Sequence, residues 1–427
     1  MNIGIITTWF ERGAAYVSRA YMDAFTAASH NVFIYARGGE GYGRGTVEWD
    51  LPSVTWAPRL GYRAGGVLFD LNHLTRWLST RRIDVVFFNE ERNWHVVRLC
   101  KTLGYTIGAY IDYYTPASVP LFDIYDFLVC NTERHYSVFK DHPHCFYVPW
   151  GANTELFKPN GDAPAGPVRF FHNAGVSPFR KGTDLAVRAF RRLDGDARLI
   201  IHTQKPLADW ECETDLLDDP RITVIPRTVP APGLYHLGNV YVYPSRLDGI
   251  GLTLCEALAC ALPVIATDEA PMNEFVADGS NGLLVPVASR QRRSDGYYWP
   301  MAIADVDELS ARMKWYVDEP SRIALHARRA RQAAEEHFCW KNNAAGLADR
   351  IAALADQNRR RRPAVHTRAV WTINAALARV RATCIAAAKK IMGNAHRGRR
   401  TARSKTPAAV QGSEHPGRKL LCKAGKP

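Results

Sequence analysis

Two short stretches carry the side chains best suited to chemistry. In the first, Tyr243 to Thr267 (YPSRLDGIGLTLCEALACALPVIAT), Asp248 and Glu256 bracket a glycine turn and the opening of a helix. Gly249 and Gly251 omit side chains where a ligand would approach the backbone. The N–H groups of Ile250, Gly251, Leu252 and Thr253 would point out of the helix N-terminus, a ready site for a diphosphate. Glu256, one to two turns in, could accept hydrogen bonds from ribose hydroxyls. Asp248 could meet the hydroxyls of a sugar or form the turn ahead of Gly249. The second stretch, Arg180-Lys181-Gly182-Thr183-Asp184, puts a basic pair at a helix start, where it opposes the macrodipole unless an anion sits there. Lys181, Arg180 and the helix N-terminus near Leu252 are thus the groups to meet charge on a departing phosphate. Asp194-Gly195-Asp196 offers two carboxylates but lies between a helix and a strand, as a turn does. His142 and His144 lack ligand spacing, and no metal is expected.

These residues need a scaffold, and the chain alternates strand-like and helical runs throughout. Strands are expected at 2–9, 31–36, 84–89, 105–112, 127–131 and 145–150, rich in Val, Ile, Phe and Tyr without strict polar alternation. Strands covered on both faces have that composition, so a parallel sheet between helices follows. The Gly-, Pro-, Asn- and Asp-rich stretch 151–167 is a linker. A second series follows at 168–173, 198–203, 222–226, 239–244, 262–267 and 282–287, with an amphipathic helix at 184–193. Helices near 305–317, 320–337 and 340–354 close the series, and Ser289–Pro300 is expected to be a surface loop. The fold class is α/β: two doubly wound Rossmann-like domains facing a cleft, with a ligand at the carboxyl ends of the strands. The expected domains are 1–150, on the acceptor side, and 168–356, which binds the donor and includes the closing helices.

The Asp248-to-Glu256 block resembles the E-x7-E region of the retaining GT-B glycosyltransferases called family 4, or group 1. The likeness continues through Ala270–Val276 and Asn281–Pro286. It also covers the Arg180-Lys181-Gly182 turn and the linker from Val148-Pro149-Trp150-Gly151 to Phe157-Lys158-Pro159. Four places depart from the family pattern. Asp248 stands where Glu is usual. Ala174-Gly175-Val176 occupies the place of an Arg, with Arg180 the nearest substitute. Arg12-Gly13 keeps one glycine of a pair, for phosphate approach. Tyr110-Ile111-Asp112-Tyr113 replaces a His and leaves Asp112 as the nearest polar candidate. The resemblance implies Lys181, Asp248 and Asp112 as catalytic candidates. It implies a nucleotide-sugar site made by Gly13, Arg180, Lys181, Asp248, Gly249, Ile250, Gly251, Leu252, Thr253 and Glu256. The nucleotide-sugar is a substrate, and no cofactor is expected. The acceptor would be a glycan or a lipid-linked sugar, with anomeric retention. A GT-B sugar-nucleotide epimerase and a non-catalytic carbohydrate-binding protein stay open as alternatives.

The net charge of +13 is unevenly placed. Residues 357–427 hold 18 of the 55 Lys and Arg and one acid, Glu414, a balance of +17 against −4 for residues 1–356. A nucleic-acid partner is therefore not expected of the folded part. Val370, Ile373, Leu377, Val380, Cys384 and Ile391 recur at helical steps among Arg379, Arg381, Lys389 and Lys390. That pattern is a basic amphipathic helix suited to an anionic membrane surface, or one packed on the protein, followed by a disordered segment from about Gly393. Met1 leads straight into the strand-like Asn2–Trp9, no basic leader precedes it, and no run approaches the ~18 apolar residues of a spanning helix. Nine scattered cysteines without a C-x-x-C pair suit buried thiols in a reducing compartment. The expected location is cytoplasmic, or at the inner face of the membrane.

Overall fold

The structure is a computed structural model that describes residues 1–39, 41–63, 66–161, 166–210 and 217–361. The expected basic amphipathic helix of 370–391 and the segment after it lie outside the described residues. A seven-stranded sheet runs in the order Val54–Trp56, Asn31–Ala36, Asn2–Thr7, Val85–Asn89, Thr106–Tyr110, Phe127–Cys130, Cys145–Tyr147. A six-stranded sheet runs Ile222–Pro226, Ala197–Thr203, Val168–Gly175, Val240–Tyr243, Val264–Thr267, Gly282–Val285. Every described pairing in both sheets is parallel. The central strands Val85–Asn89, Phe127–Cys130 and Val240–Tyr243 are buried along their whole length, which explains their unbroken apolar composition.

In each sheet the strand order reverses once, and at that point a crevice opens at the carboxyl ends. In the first sheet the reversal lies between Asn2–Thr7 and Val85–Asn89, in the second between Val168–Gly175 and Val240–Tyr243. Chain leaving these four strands supplies Gly13, Glu90, Arg180 to Lys181, and Asp248 to Glu256.

Three features depart from the sequence expectation. Ser289–Pro300 is not simply a surface loop. Val287–Gln291 pairs antiparallel with Met301–Ala304, and the connection between them buries Tyr297 to 8% exposure. The helix expected at 340–354 is two, Trp340–Asn343 and Leu347–Arg361, separated at Gly346 with φ of 75°. The second of these, expected to close the second domain, returns to the first. There Arg350 lies over the Phe146 ring, Asn358 bonds Thr106 and Arg359 pairs with Asp84 at 2.9 Å. It also continues past 356, where the tail was expected to begin. An edge strand, Val54–Trp56, and a two-residue hairpin, Tyr62–Arg63 with Gly66–Val67, had no counterpart in the sequence reading.

Candidate active site

A cavity of about 400 Å³ lies between the two sheets, lined from both. Of the expected residues, Gly13, Arg180, Lys181, Asp248, Gly249, Ile250, Leu252, Thr253, Glu256 and Asp112 all line it. Gly251 does not. It caps the helix Leu252–Ala259 with φ of 68°, a left-handed conformation that glycine adopts without strain, and Phe275 packs beside it. At Gly249 a Cβ would run into the Asp112 carboxylate, so the close approach of the two chains there requires glycine.

Helix starts around the cavity differ from several elsewhere. Asp70, Asn93, Thr132 and Asp305 cap their helices with side-chain oxygens. The helices beginning at Gly13, Thr183 and Leu252 have no side-chain cap. Uncapped N–H groups at a cavity are open to an anion. The set after the glycine turn is smaller than expected, because Asp248 Oδ1 accepts from the N–H groups of Ile250 at 3.3 Å and Gly251 at 3.1 Å. Among the described residues the N–H groups of Leu252 and Thr253 have no hydrogen-bond acceptor, and both residues line the cavity.

Asp248 is thus both turn former and ion-pair partner. Its Oδ2 accepts from Lys181 Nζ and from the Tyr243 hydroxyl, and Arg180 Nη1 lies 3.7 Å away. Lys181 also donates to the Tyr243 hydroxyl at 2.5 Å. Burial alone would raise Asp248, but the Lys181 and Arg180 cations overcome it and hold the carboxyl well below the usual range. Burial lowers Lys181, with Asp248 opposing the shift. The lysine is thus held in place by a carboxylate, and Arg180, also bonded to the Leu247 carbonyl at 3.0 Å, stands beside it.

Glu256 accepts from the Tyr235 hydroxyl at 2.5 Å, and burial pushes its carboxyl up to about 7. Asp112 is likewise raised to about 8, first by burial and then by the neighbouring Glu90. Glu90 lines the same cavity and sits at φ of 51°, an uncommon conformation for a side-chain-bearing residue.

Several supporting residues escaped the sequence reading. Arg246 forms a two-pronged bond to Asp184, both contacts 2.7 Å and both side chains buried, which fixes the Lys181 turn against the strand end. His172 bridges the Val242 carbonyl and the Thr183 hydroxyl, each at 2.8 Å, and burial lowers it to about 4, so it is neutral. His135, in the first domain, lies 3.0 Å from both the Tyr114 hydroxyl and the Gly249 carbonyl. It ties that domain to the glycine turn, and burial lowers it to about 3. Glu274 caps the first-domain helix Glu133–Phe139 through the N–H groups of Glu133 and Arg134, at 2.7 and 2.9 Å. Glu274 and Arg246 lie inside the stretches recognised in the sequence, whereas His172 and His135 have no local pattern to reveal them.

Residues 168–294 match the model of the family described as glycosyl transferases group 1. The chain is 25% identical over 314 residues to the GDP-mannose-dependent alpha-(1-6)-phosphatidylinositol monomannoside mannosyltransferase of Mycolicibacterium smegmatis, covering 68% of this chain and 75% of that protein. The chain thus resembles, in its second domain, the group 1 glycosyltransferases. Its fold is GT-B, as solved structures bear out. Sucrose-phosphate synthase from Thermosynechococcus elongatus superposes with a TM-score of 0.68 at 16% identity, over 84% of this chain and all of that one. Anabaena HepE in complex with UDP-glucose superposes with a TM-score of 0.66 at 14% identity, over 83% of this chain and all of that one. The matched segment spans the Lys181 turn, Asp248 and Glu256, while Gly13, Glu90 and Asp112 lie outside it.

Proposed function

We propose that this glycosyltransferase moves a hexose from a nucleotide-diphosphate donor to a hydroxyl of a glycan or lipid-linked acceptor, with retention and without a divalent metal. The observation that carries the reading is the convergence of Lys181, Arg180 and two uncapped helix N-termini, at Gly13 and Leu252, on one cavity also lined by Glu256. The cations and N–H groups would take the diphosphate, and Glu256 the ribose hydroxyls. The bond from the sugar anomeric carbon to the β-phosphate oxygen breaks, and its electron pair leaves with the nucleoside diphosphate. The acceptor oxygen bonds the anomeric carbon, and its proton passes to the released phosphate. Charge growing on that phosphate is met by Lys181 and Arg180, so the step needs no metal for this purpose. A cleft closed over the donor excludes water that would hydrolyse it.

The mannosyltransferase relative supports a GDP-mannose donor and an acceptor containing a glycosylated inositol lipid. The neighbour holding UDP-glucose keeps that donor in the comparison. Retention rests on the family resemblance. The test is transfer from GDP-mannose and UDP-glucose to a phosphatidylinositol mannoside acceptor, in excess chelator, with the product anomer read by NMR. An α-linked product formed at full rate in chelator is expected. Loss of activity restored by added metal, a β-linked product, or an isomerised donor with no transfer would each contradict the proposal.

The proposed place of action is the cytoplasmic side of a membrane, with residues 357–427 attracting an anionic surface through their +17 charge. Among the described residues no helix is long and apolar enough to cross a membrane.

A further inference from the structure

The connection between Gln291 and Met301 belongs to the second domain by its strands, yet it crosses to the first. Tyr297 donates to the Asp112 carbonyl at 3.1 Å, Tyr113 donates to the Asp295 carbonyl at 3.1 Å, and Trp299 Nε1 donates to the Tyr114 hydroxyl at 2.7 Å. Tyr113 and Tyr297 stack with centroids 5.2 Å apart and planes inclined by 23°. Guanidinium groups close both ends of this pair, Arg92 3.5 Å over Tyr113 and Arg293 5.4 Å over Tyr297. The four side chains form one ladder, two from each domain, and all four line the cavity. Beneath them Glu90 and Asp112 stand at the ends of adjacent strands and line the same space.

We propose that the Arg293–Trp299 segment supplies a second-domain wall of the acceptor subsite, with Tyr297 setting its shape and Glu90 beside Asp112 accepting hydrogen bonds from a polyhydroxylated ring, a sugar or a cyclitol. The inference rests on the transferase reading above. Three features support it. Carboxyl groups in a cavity match vicinal hydroxyls, because a carboxyl keeps acceptor oxygens in either protonation state. The two tyrosines of the ladder are planar and rotamer-poor, and the Asp295 carboxylate accepts from Arg293, so the wall is fixed before binding. The Tyr297 contact to the Asp112 main chain joins wall and floor, so the pocket for the ring exists only while the two domains are together. Glu90 and Tyr297 are specificity-determining residues in this scheme; the donor is held by Lys181 and Glu256.

The test uses full-length protein and whichever of GDP-mannose and UDP-glucose binds by calorimetry. Transfer rates are measured against methyl α-D-mannopyranoside and myo-inositol, with donor hydrolysis followed in parallel. Tyr297→Ala and Glu90→Gln should each raise the acceptor KM at least tenfold while the donor dissociation constant stays within twofold. Tyr297→Phe, which keeps the ring but loses the hydroxyl bonded to the Asp112 carbonyl, should fall between Tyr297→Ala and wild type, while Ser289→Ala, exposed on the strand leading into the segment, should match wild type. An unchanged acceptor KM in Tyr297→Ala overturns the inference. So does a donor constant that moves in step with KM, since a clasp that merely holds the domains closed would weaken both. Wild-type protein that binds donor but transfers to neither ring overturns it too, and leaves the donor site standing. Failure to bind either donor overturns the transferase reading instead.

Discussion

Glu256 is the residue whose chemistry is most exposed to pH. Burial raises its carboxyl to about 7, with the Tyr235 hydroxyl and Lys181 opposing the shift. A carboxyl raised in the folded state favours folding below its ordinary value, and that contribution is lost as pH rises through about 7. Wild-type stability relative to Glu256→Gln should therefore fall as pH climbs through 7, measured by denaturant unfolding at pH 6 and pH 8. Donor binding should show the opposite trend, because the ionised form is the better acceptor for ribose hydroxyls. Affinity should rise across the same interval in wild type and stay flat in Glu256→Gln. The sequence pointed to Glu256 through its place in a helix after a glycine turn. It could not show that Tyr235, 21 residues earlier, would reach it. Asp248 was legible as a turn former, and the structure gives it that role through one oxygen while the other pairs with Lys181.

At the scale of elements, the Lys181 turn is only as well placed as the strand ends beside it. Gly182, at φ of 71°, lets the chain turn against the Pro244 carbonyl, where any side chain would collide. Arg246, three residues past the end of the strand Val240–Tyr243, locks the helix Thr183–Phe190 through Asp184. Removing one member of a buried pair leaves an uncompensated charge, at a cost of about 3–5 kcal/mol. Arg246→Ala should lose stability of that order in urea unfolding, and a loss under 1 kcal/mol would show that water reaches Asp184. The strands of both sheets were visible in sequence because burial on both faces leaves apolar runs. Val54–Trp56 was not, since all three residues are only half-buried and the strand is three residues long at a sheet edge. The Val287–Gln291 hairpin was hidden for a related reason. Its exposed Ser289, Arg290 and Gln291 look like loop, and its purpose lies in partners more than 150 residues away, Asp112 to Tyr114.

At the scale of the molecule, the ties between the two domains include His135 on Gly249, Glu274 on the helix at Glu133, and the tyrosine ladder. Their two halves lie more than 100 residues apart in the chain, so no local motif could announce them. The uneven charge belongs to this scale as well. Each Lys or Arg near an acidic lipid surface contributes about 1 kcal/mol, so the +17 segment should bind reversibly and weaken with salt. In flotation, full-length protein should rise with anionic vesicles at low salt, stay down with neutral ones, and detach at high salt. A 1–361 truncation should not float. Equal flotation of the truncation would assign membrane contact to the folded domains.

The central claim is that one cavity, built from both domains, holds a nucleotide-diphosphate sugar through Lys181 and Glu256. Its most direct test is isothermal titration of GDP-mannose and UDP-glucose into wild type, Lys181→Ala and Glu256→Ala, each checked for folding by thermal melting. Saturable binding of at least one donor to wild type is expected, weakened by roughly 1.5–3 kcal/mol in each variant through loss of a charge-assisted contact. Wild-type affinity in both folded variants would contradict the placement of the donor.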